Sequence, residues 1–377
     1  MLWTIIVISL FFLFYVYIGY PYILYILAKR KDKLIPKVSY TGDISILMVV
    51  CNEEQNIERK LNNLLDLNYS GGNLHIVVVD DASDDMTLDI IHSYGDKVKL
   101  LSLPKRSGKA SGINHAMKYI NTELTMMVDC RQKLEIDVVN LLSSWFSSDD
   151  KVGAVSGELM FLKEGSNEFS QGMDGYWKYE KLIRSSEAVI ASVPGVTGAL
   201  YMLRTSAYQN IEPDTLLDDV LIPMNVIKQG LSVGFDSRAI AWDIPSTSVQ
   251  SERRRKIRTL SGNYQLLLRS PQWVLPFGHP IWWQFFSHKI ARLIAPFAGL
   301  ASLLAGLVLG LGGDKVALLY SVTFISTLML VPLTLLVPRM NRVSIIKLIT
   351  SFITLNWFCV LAFFHYVSGI KSGSWKS

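Results

Sequence analysis

Residues 2–28 carry no charged side chain and are almost wholly apolar or aromatic; the first charge of the run's flank is Lys29. A helix needs roughly 20 such residues to cross the hydrocarbon of a bilayer. This one stretch therefore commits the chain to a membrane. A cleaved signal peptide asks for a positive segment before a shorter apolar core and a small-residue cleavage site. Here Lys29, Arg30, Lys31 and Lys33 follow the run instead, so an uncleaved anchor is expected.

Three more spans are expected at about 291–312, 316–337 and 344–368. Pro296 and Pro332 fall inside two of them, which packed transmembrane helices tolerate. Arg339, Arg342 and Lys347 separate the last two, whereas the 312–315 loop holds one acid and one base. The positive-inside rule puts Lys29–Lys33, Lys289, Arg292 and the 339–347 loop on the cytoplasmic side of an inner membrane. Four spans satisfy this with both termini outside, although Lys371 and Lys376 in the tail count against that end. The division is then 1–28 anchor, 40–270 cytoplasmic domain, 271–290 interfacial segment, 291–368 three spans and 369–377 tail.

The chain has 377 residues, and its net charge of +5 is carried by juxtamembrane basic residues. These suit anionic headgroups, and no nucleic-acid-binding module accompanies them. Cys51, Cys130 and Cys359 have no metal-ligand spacing and are expected as reduced thiols. A transporter would place ionisable groups within the spans, and only His365 and Asn356 lie deep in them.

Between the apolar ends, residues 43–245 alternate strand-like and helix-like segments. Ile44–Val50, Leu74–Val79, Val98–Leu103 and Leu124–Val128 read as strands. Glu53 to about Asn68, Met86–Ser93 and Gly108–Ile120 read as helices. Such alternation predicts a mostly parallel sheet covered by helices. Ligands of such sheets bind outside the carboxyl ends of the strands. Those positions hold Asn52-Glu53-Glu54, Asp80-Asp81-Ala82-Ser83-Asp84 and Asp129. A single aspartate after a strand is usually a helix cap. Several at one sheet edge need a positive partner, either a divalent ion with a diphosphate or basic side chains.

Three look-alike motifs fail on context. Ser107-Gly108-Lys109-Ala110-Ser111 lacks the earlier glycine of a phosphate-binding loop, no GxGxxG follows the first strand, and Asp80–Asp84 closes a strand instead of lying on a helix.

The ordered set Val50-Cys51-Asn52-Glu53-Glu54, Val78-Val79-Asp80-Asp81, Gly108-Lys109-Ala110, Val128-Asp129, Gly195-Val196-Thr197-Gly198-Ala199, Leu217-Asp218-Asp219-Val220 and Arg255–Gly262 resembles the membrane-bound inverting glycosyltransferases of family 2. The resemblance covers about residues 40–270 and implies a GT-A domain. It implies that Asn52, Glu53, Asp80, Asp81 and Lys109 line the donor pocket, with Asp81 at the nucleoside. Asp129 matches the first acid of the DxD motif, which holds the metal and the sugar diphosphate. Asp219 matches the general base, with Asp218 as the alternative. Arg258 matches the diphosphate-binding arginine of QxxRW.

Two positions depart from the pattern. Arg131 replaces the second DxD acid; it cannot bind a metal but can meet a phosphate through a bidentate contact. Arg255 and Thr259 replace the glutamine and tryptophan of QxxRW. A divalent metal, Mg²⁺ or Mn²⁺, is expected on Asp129 alone. In the basic run after Glu252, Arg258 is expected to turn inward and the others toward headgroups.

The implied function is transfer of a sugar from a nucleotide-sugar donor, with uridine as the family's usual base, to a glycan or lipid-linked acceptor at the membrane. Polysaccharide-assembly subunits are the implied partners. The competing reading is a non-catalytic, sugar-nucleotide-binding scaffold subunit.

Overall fold

The computed structural model describes residues 1–31, 36, 38–161, 174–244 and 249–369. Lys33, Lys371, Lys376 and most of the tail lie outside the described residues, as do the side chains of Tyr176, Trp177 and Arg342.

The first apolar run is a helix, α1 (Leu2–Lys29), broken by a π-helical turn at Tyr15–Gly19. There follow β1 (Ile44–Val50), α2 (Ile57–Leu65), β2 (Leu74–Asp80), α3 (Thr87–His92), β3 (Val98–Ser102), α4 (Lys109–Ala116) and β4 (Leu124–Val128). The second half runs β5 (Lys133–Leu134), α5 (Val138–Ser148), β6 (Val152–Phe161), α6 (Asp174–Ile190), β7 (Leu200–Arg204), α7 (Asp218–Lys228) and β8 (Ser232–Asp243). The chain continues as α8 (Val249–Arg269), α9 (Trp282–Leu311), α10 (Lys315–Leu336) and α11 (Ser344–Val367). Four helices, α1, α9, α10 and α11, are long and apolar enough to cross a membrane.

All eight strands form one sheet in the order β3-β2-β1-β4-β7-β6-β8-β5. Its β3-β2-β1-β4 half is parallel, as the alternation predicts. β7 runs antiparallel between β4 and β6, whereas β6 and β8 are parallel. The sheet is thus mixed, with parallel pairings in the majority.

The run Ile44–Val50 is buried at every position, because a central strand of a doubly covered sheet has no wet face. Alternate residues serve opposite cores. Leu47, Val49, Val77, Val79 and Met127 pack with α4, α7 and the domain-facing parts of two apolar helices, Leu293 near the start of α9 and Cys359 and Ala362 near the end of α11. Ile46, Met48, Val50, Val78 and Val128 pack instead with α2 and α5. The domain and the apolar helices therefore share one core.

Two boundaries differ from expectation. The helix after β1 starts at Ile57, four residues late, because Asn52 takes a left-handed backbone (φ 56°). α9 starts at Trp282 instead of about 291, through a π-helical turn at Phe286–Ile290.

Candidate active site

The carboxyl ends of β1, β2 and β4 end side by side, since Val50 is registered against Asp80 and Met48 against Val128. Antiparallel pairing of Val128 with Leu200 then lays the Gly195–Ala199 loop across the end of β4. A Cβ added at Gly198 would sit 3.5 Å from Asp129 Oδ2, 3.6 Å from Lys109 Nζ and 3.8 Å from Asp219 Cβ. Four residues singled out in the sequence, Lys109, Asp129, Asp218 and Asp219, thus meet at one point.

Lys109 is the cation among the acids. Its Nζ donates to Asp129 Oδ1 at 2.9 Å and lies 3.1 Å from Asp218 Oδ2. The second contact is an ion pair without an aligned hydrogen bond. Burial opposes the ammonium charge, but Asp129 and Asp218 outweigh it and hold Lys109 above its ordinary value. The aspartate at 219 behaves oppositely. Burial and the Asp218 charge push its carboxyl up to about 6, against the pull of Lys109 and Lys289.

α7 begins at Asp218, and Pro223 lies inside it. Proline has no N–H for the carbonyl four residues back, which is Asp219. That carbonyl accepts instead from the Val196 amide at 2.8 Å. The proline thereby ties the Gly195–Ala199 loop to the helix that carries the acids.

Behind the acids, Leu47, Val49, Lys109, Gly198, Tyr201 and Asp218 line a cavity of about 10 Å³. That volume is about one water; on the other side of the acids Asp129 is 37% exposed. Tyr201 is 1% exposed, and its hydroxyl finds no hydrogen-bond partner among the described residues.

The remaining sequence candidates shape this edge. Asp80 accepts the Ser83 amide, and Asp81 accepts the amides of Ser107 (2.6 Å) and Gly108 (2.8 Å). Both carboxylates are thus engaged in fixing loops, Asp81 the one that aims Lys109. Asn52 exchanges hydrogen bonds with Asp84, stitching the first two strand ends together. Glu53 is partly buried near Arg131 and Asp129, and burial raises its carboxyl pKa despite Asn56 donating to it.

One expectation gains a partner and one is corrected. Arg131 forms a bidentate pair through Nε and Nη2 with Asp243, which is fully buried at the end of β8, while its side chain stays 39% exposed. A buried carboxylate needs such a partner, and Gln132 and Arg255 also approach it. Arg258 is exposed, while Arg255 and Lys256 turn toward the protein. The inward arginine of α8 is therefore Arg255, in the place of the motif's glutamine.

Sequence reading missed Asp243, Pro223, Tyr201 and a polar cluster below the site. In that cluster His288 bridges Glu180 (2.9 Å) and Glu187 (3.0 Å), Tyr20 donates to Glu187 and Arg292 pairs with Glu180. The strand-end rule reaches Asp243 once β8 is recognised, and the four-residue spacing from Asp219 marks Pro223. The cluster left no sequence signal.

Among the described residues, no group of three His, Cys, Asp or Glu side chains could hold a metal. The residues fit an ion anchored once, on Asp129, whose Oδ2 accepts no hydrogen bond from the described residues. Mg²⁺ binds in this way when water and a substrate phosphate complete its shell.

A curled mixed sheet with these acids at its strand ends defines a GT-A-type glycosyltransferase domain. Comparison with known proteins agrees. The family described as Glycosyl transferase family 2 matches residues 45–188, and Glycosyl transferase family group 2 matches residues 125–370. The chain belongs to glycosyl transferase family group 2.

It is similar to the poly-β-1,6-N-acetyl-D-glucosamine synthase of Staphylococcus epidermidis, with 21% identity over 265 residues, 69% of this chain and 61% of that protein. The synthase of Staphylococcus aureus (strain COL) is 22% identical over 250 residues, covering 65% and 60%. This chain thus spans about three fifths of those relatives' length. A mannosyltransferase from Pyrobaculum calidifontis, solved with GDP-Man and Mn²⁺, shares the fold with a TM-score of 0.74 at 19% identity, over 97% of this chain and 99% of that one.

Proposed function

We propose that the chain is an inverting glycosyltransferase that moves a hexose-type sugar from a nucleotide-sugar donor to a membrane-associated glycan or lipid-linked acceptor, in the synthesis of cell-surface polysaccharide. The observation that carries this reading is the meeting of Lys109, Asp129, Asp218 and Asp219 at one sheet edge. Polysaccharide synthesis is favoured by the similarity to the staphylococcal synthases. The family resemblance points to a uridine diphosphate donor, whereas the archaeal structural relative holds GDP-Man.

In this reading Asp219 is the base. Its carboxylate takes the proton of the acceptor hydroxyl as that oxygen attacks the anomeric carbon. The nucleoside diphosphate departs from the opposite face, which inverts the centre. A pKa near 6 leaves Asp219 ionised at neutral pH yet basic enough for the task. Asp218 is the alternative base, but its ion pair with Lys109 lowers its availability. A divalent cation on Asp129 would neutralise the leaving diphosphate. Lys109 holds Asp129 in position from the other side. Arg255, and Arg258 if α8 turns, would face the diphosphate; Asn52, Glu53, Asp80 and Asp81 would shape the nucleoside end. The domain would lie on the cytoplasmic face of the inner membrane, with the chain multi-pass.

The test is donor turnover by lipid-reconstituted protein, screening nucleotide sugars with Mg²⁺ or Mn²⁺ and with membrane extract as acceptor source. Release of nucleoside diphosphate is expected. Donor binding without release under every condition would replace the enzyme by a scaffolding subunit.

A further inference from the structure

The helix α11 has the length and composition of a span, yet its contacts do not climb away from the domain. α9 and α10 give the scale. A Cβ at Gly310 would lie 2.9 Å from the Cα of Leu318, one at Gly306 would lie 2.6 Å from Ser321 Oγ, and one at Gly299 would lie 3.6 Å from Phe324. α10 thus retraces α9 back toward the domain. From Phe324 to Leu336 is a further ~18 Å of helix at 1.5 Å per residue, which brings the end of α10 level with about Ser287. The chain enters α11, at Ser344, on the domain side.

It also leaves α11 there. Midway, Phe352 and Asn356 meet Tyr17 (ring centroids 4.6 Å; hydrogen bond 2.6 Å). Tyr17 packs in the cluster of Ala291 and Ala295, near the start of α9. Further on, the Tyr264 hydroxyl reaches the carbonyls of both Cys359 (3.2 Å) and Leu293 (3.5 Å). Ser261 Oγ then reaches the Ala362 carbonyl at 3.3 Å, and Tyr366, like Ile257 and Leu260 of α8, packs against the core that the domain shares with the apolar helices. α11 therefore runs antiparallel along α8, whose next residues outward include exposed Arg258, Arg254 and Arg253. A helix end flanked by those arginines does not lie across ~30 Å of hydrocarbon.

We propose that α11 lies in the plane of the membrane at the domain-side boundary and does not cross it. The partner of its outer face is the headgroup–acyl boundary of that leaflet. Ile345, Leu348, Phe352, Trp357 and Phe364 present apolar surface outward, while Phe358, Cys359 and Ala362 pack inward. An interfacial helix normally needs a polar face of its own; here α8 supplies the polar layer beneath. The chain then crosses three times, through α1, α9 and α10, and returns its end to the domain side. Gly262 of the same α8 packs on Leu217, where a Cβ would lie 2.5 Å from Leu217 Cγ, so the membrane-bound pair abuts the residue before Asp218.

This inference rests on the reading that α1, α9 and α10 cross the bilayer. The test is labelling of Asp150→Cys, Lys315→Cys and Ser368→Cys with a membrane-impermeant maleimide, in vesicles of each orientation, with the unlabelled buried cysteines as background. The expected result is that Ser368→Cys labels from the same face as Asp150→Cys, and Lys315→Cys from the opposite face. If Ser368→Cys labels with Lys315→Cys, α11 crosses and the inference is overturned while the spans stand. If Lys315→Cys and Asp150→Cys label from one face, the crossing of α9 and α10 fails, and the inference with it.

Discussion

The amide of Val196 donates to the carbonyl of Asp219 across 2.8 Å, and it can do so because Pro223 has no N–H to offer that carbonyl. A helix defect thus becomes the joint between the glycine loop and the acidic pair. Replacing Pro223 by Ala restores the competing intrahelical donor. Thermal stability should hold or rise, since proline is the poorest helix residue. Turnover should fall roughly ten- to a hundred-fold, the cost of a small misplacement. A melting curve beside a rate measurement on Pro223→Ala checks this.

Asp219 sets the pH dependence. Turnover should rise with pH through a midpoint near 6, as Asp219 ionises. The sign for stability is the reverse. Folding raises this pKa from an unfolded value of about 4, so its contribution is full below that value and lost as pH rises through the folded one. Asp219→Asn should therefore melt above wild type at pH 7.5 and match it near pH 4. Melting curves across that range decide the matter.

Lys109 pulls the Asp219 pKa down. In Lys109→Met the acid limb of the pH–rate profile should move above its wild-type position, and stability at neutral pH should fall because three carboxylates lose their common cation. An unmoved profile would separate Lys109 from the acids.

Arg131 is half of a bidentate pair with a buried carboxylate. Arg131→Ala should cost about 2 kcal/mol, less than the usual loss on breaking a buried pair, because Gln132 and Arg255 remain near Asp243. Arg131→Asp should unfold at still lower denaturant and should not tighten metal binding. Denaturant titration and metal-dependent turnover test the two halves of this expectation.

Much of this was legible in the sequence, and the exceptions share a cause. The strand-end acids were visible because a covered parallel strand is an unbroken apolar run, so Asp129 after Leu124–Val128 stands out. The association of Lys109 with Asp129 was foreshadowed by the need for a cation among acids. The pairing of Arg131 went unread because sequence shows its neighbour in the motif and hides its partner 112 residues away. Arg258 misled because motif alignment fixes order along a helix but not which face turns in. α11 has the composition of a span, as read from the sequence; its contacts with Tyr17, Tyr264 and Ser261, on which the proposal of an in-plane path rests, leave no trace in hydropathy.

The most direct test of the central claim is a single-turnover measurement of donor consumption by Asp219→Asn beside wild type, in bilayers, with donor binding measured on the same samples. Loss of the base predicts that the rate falls by roughly 10² to 10⁴ while donor affinity is unchanged. A mutant that consumes donor at the wild-type rate would contradict the assignment of Asp219 and the mechanism built on it.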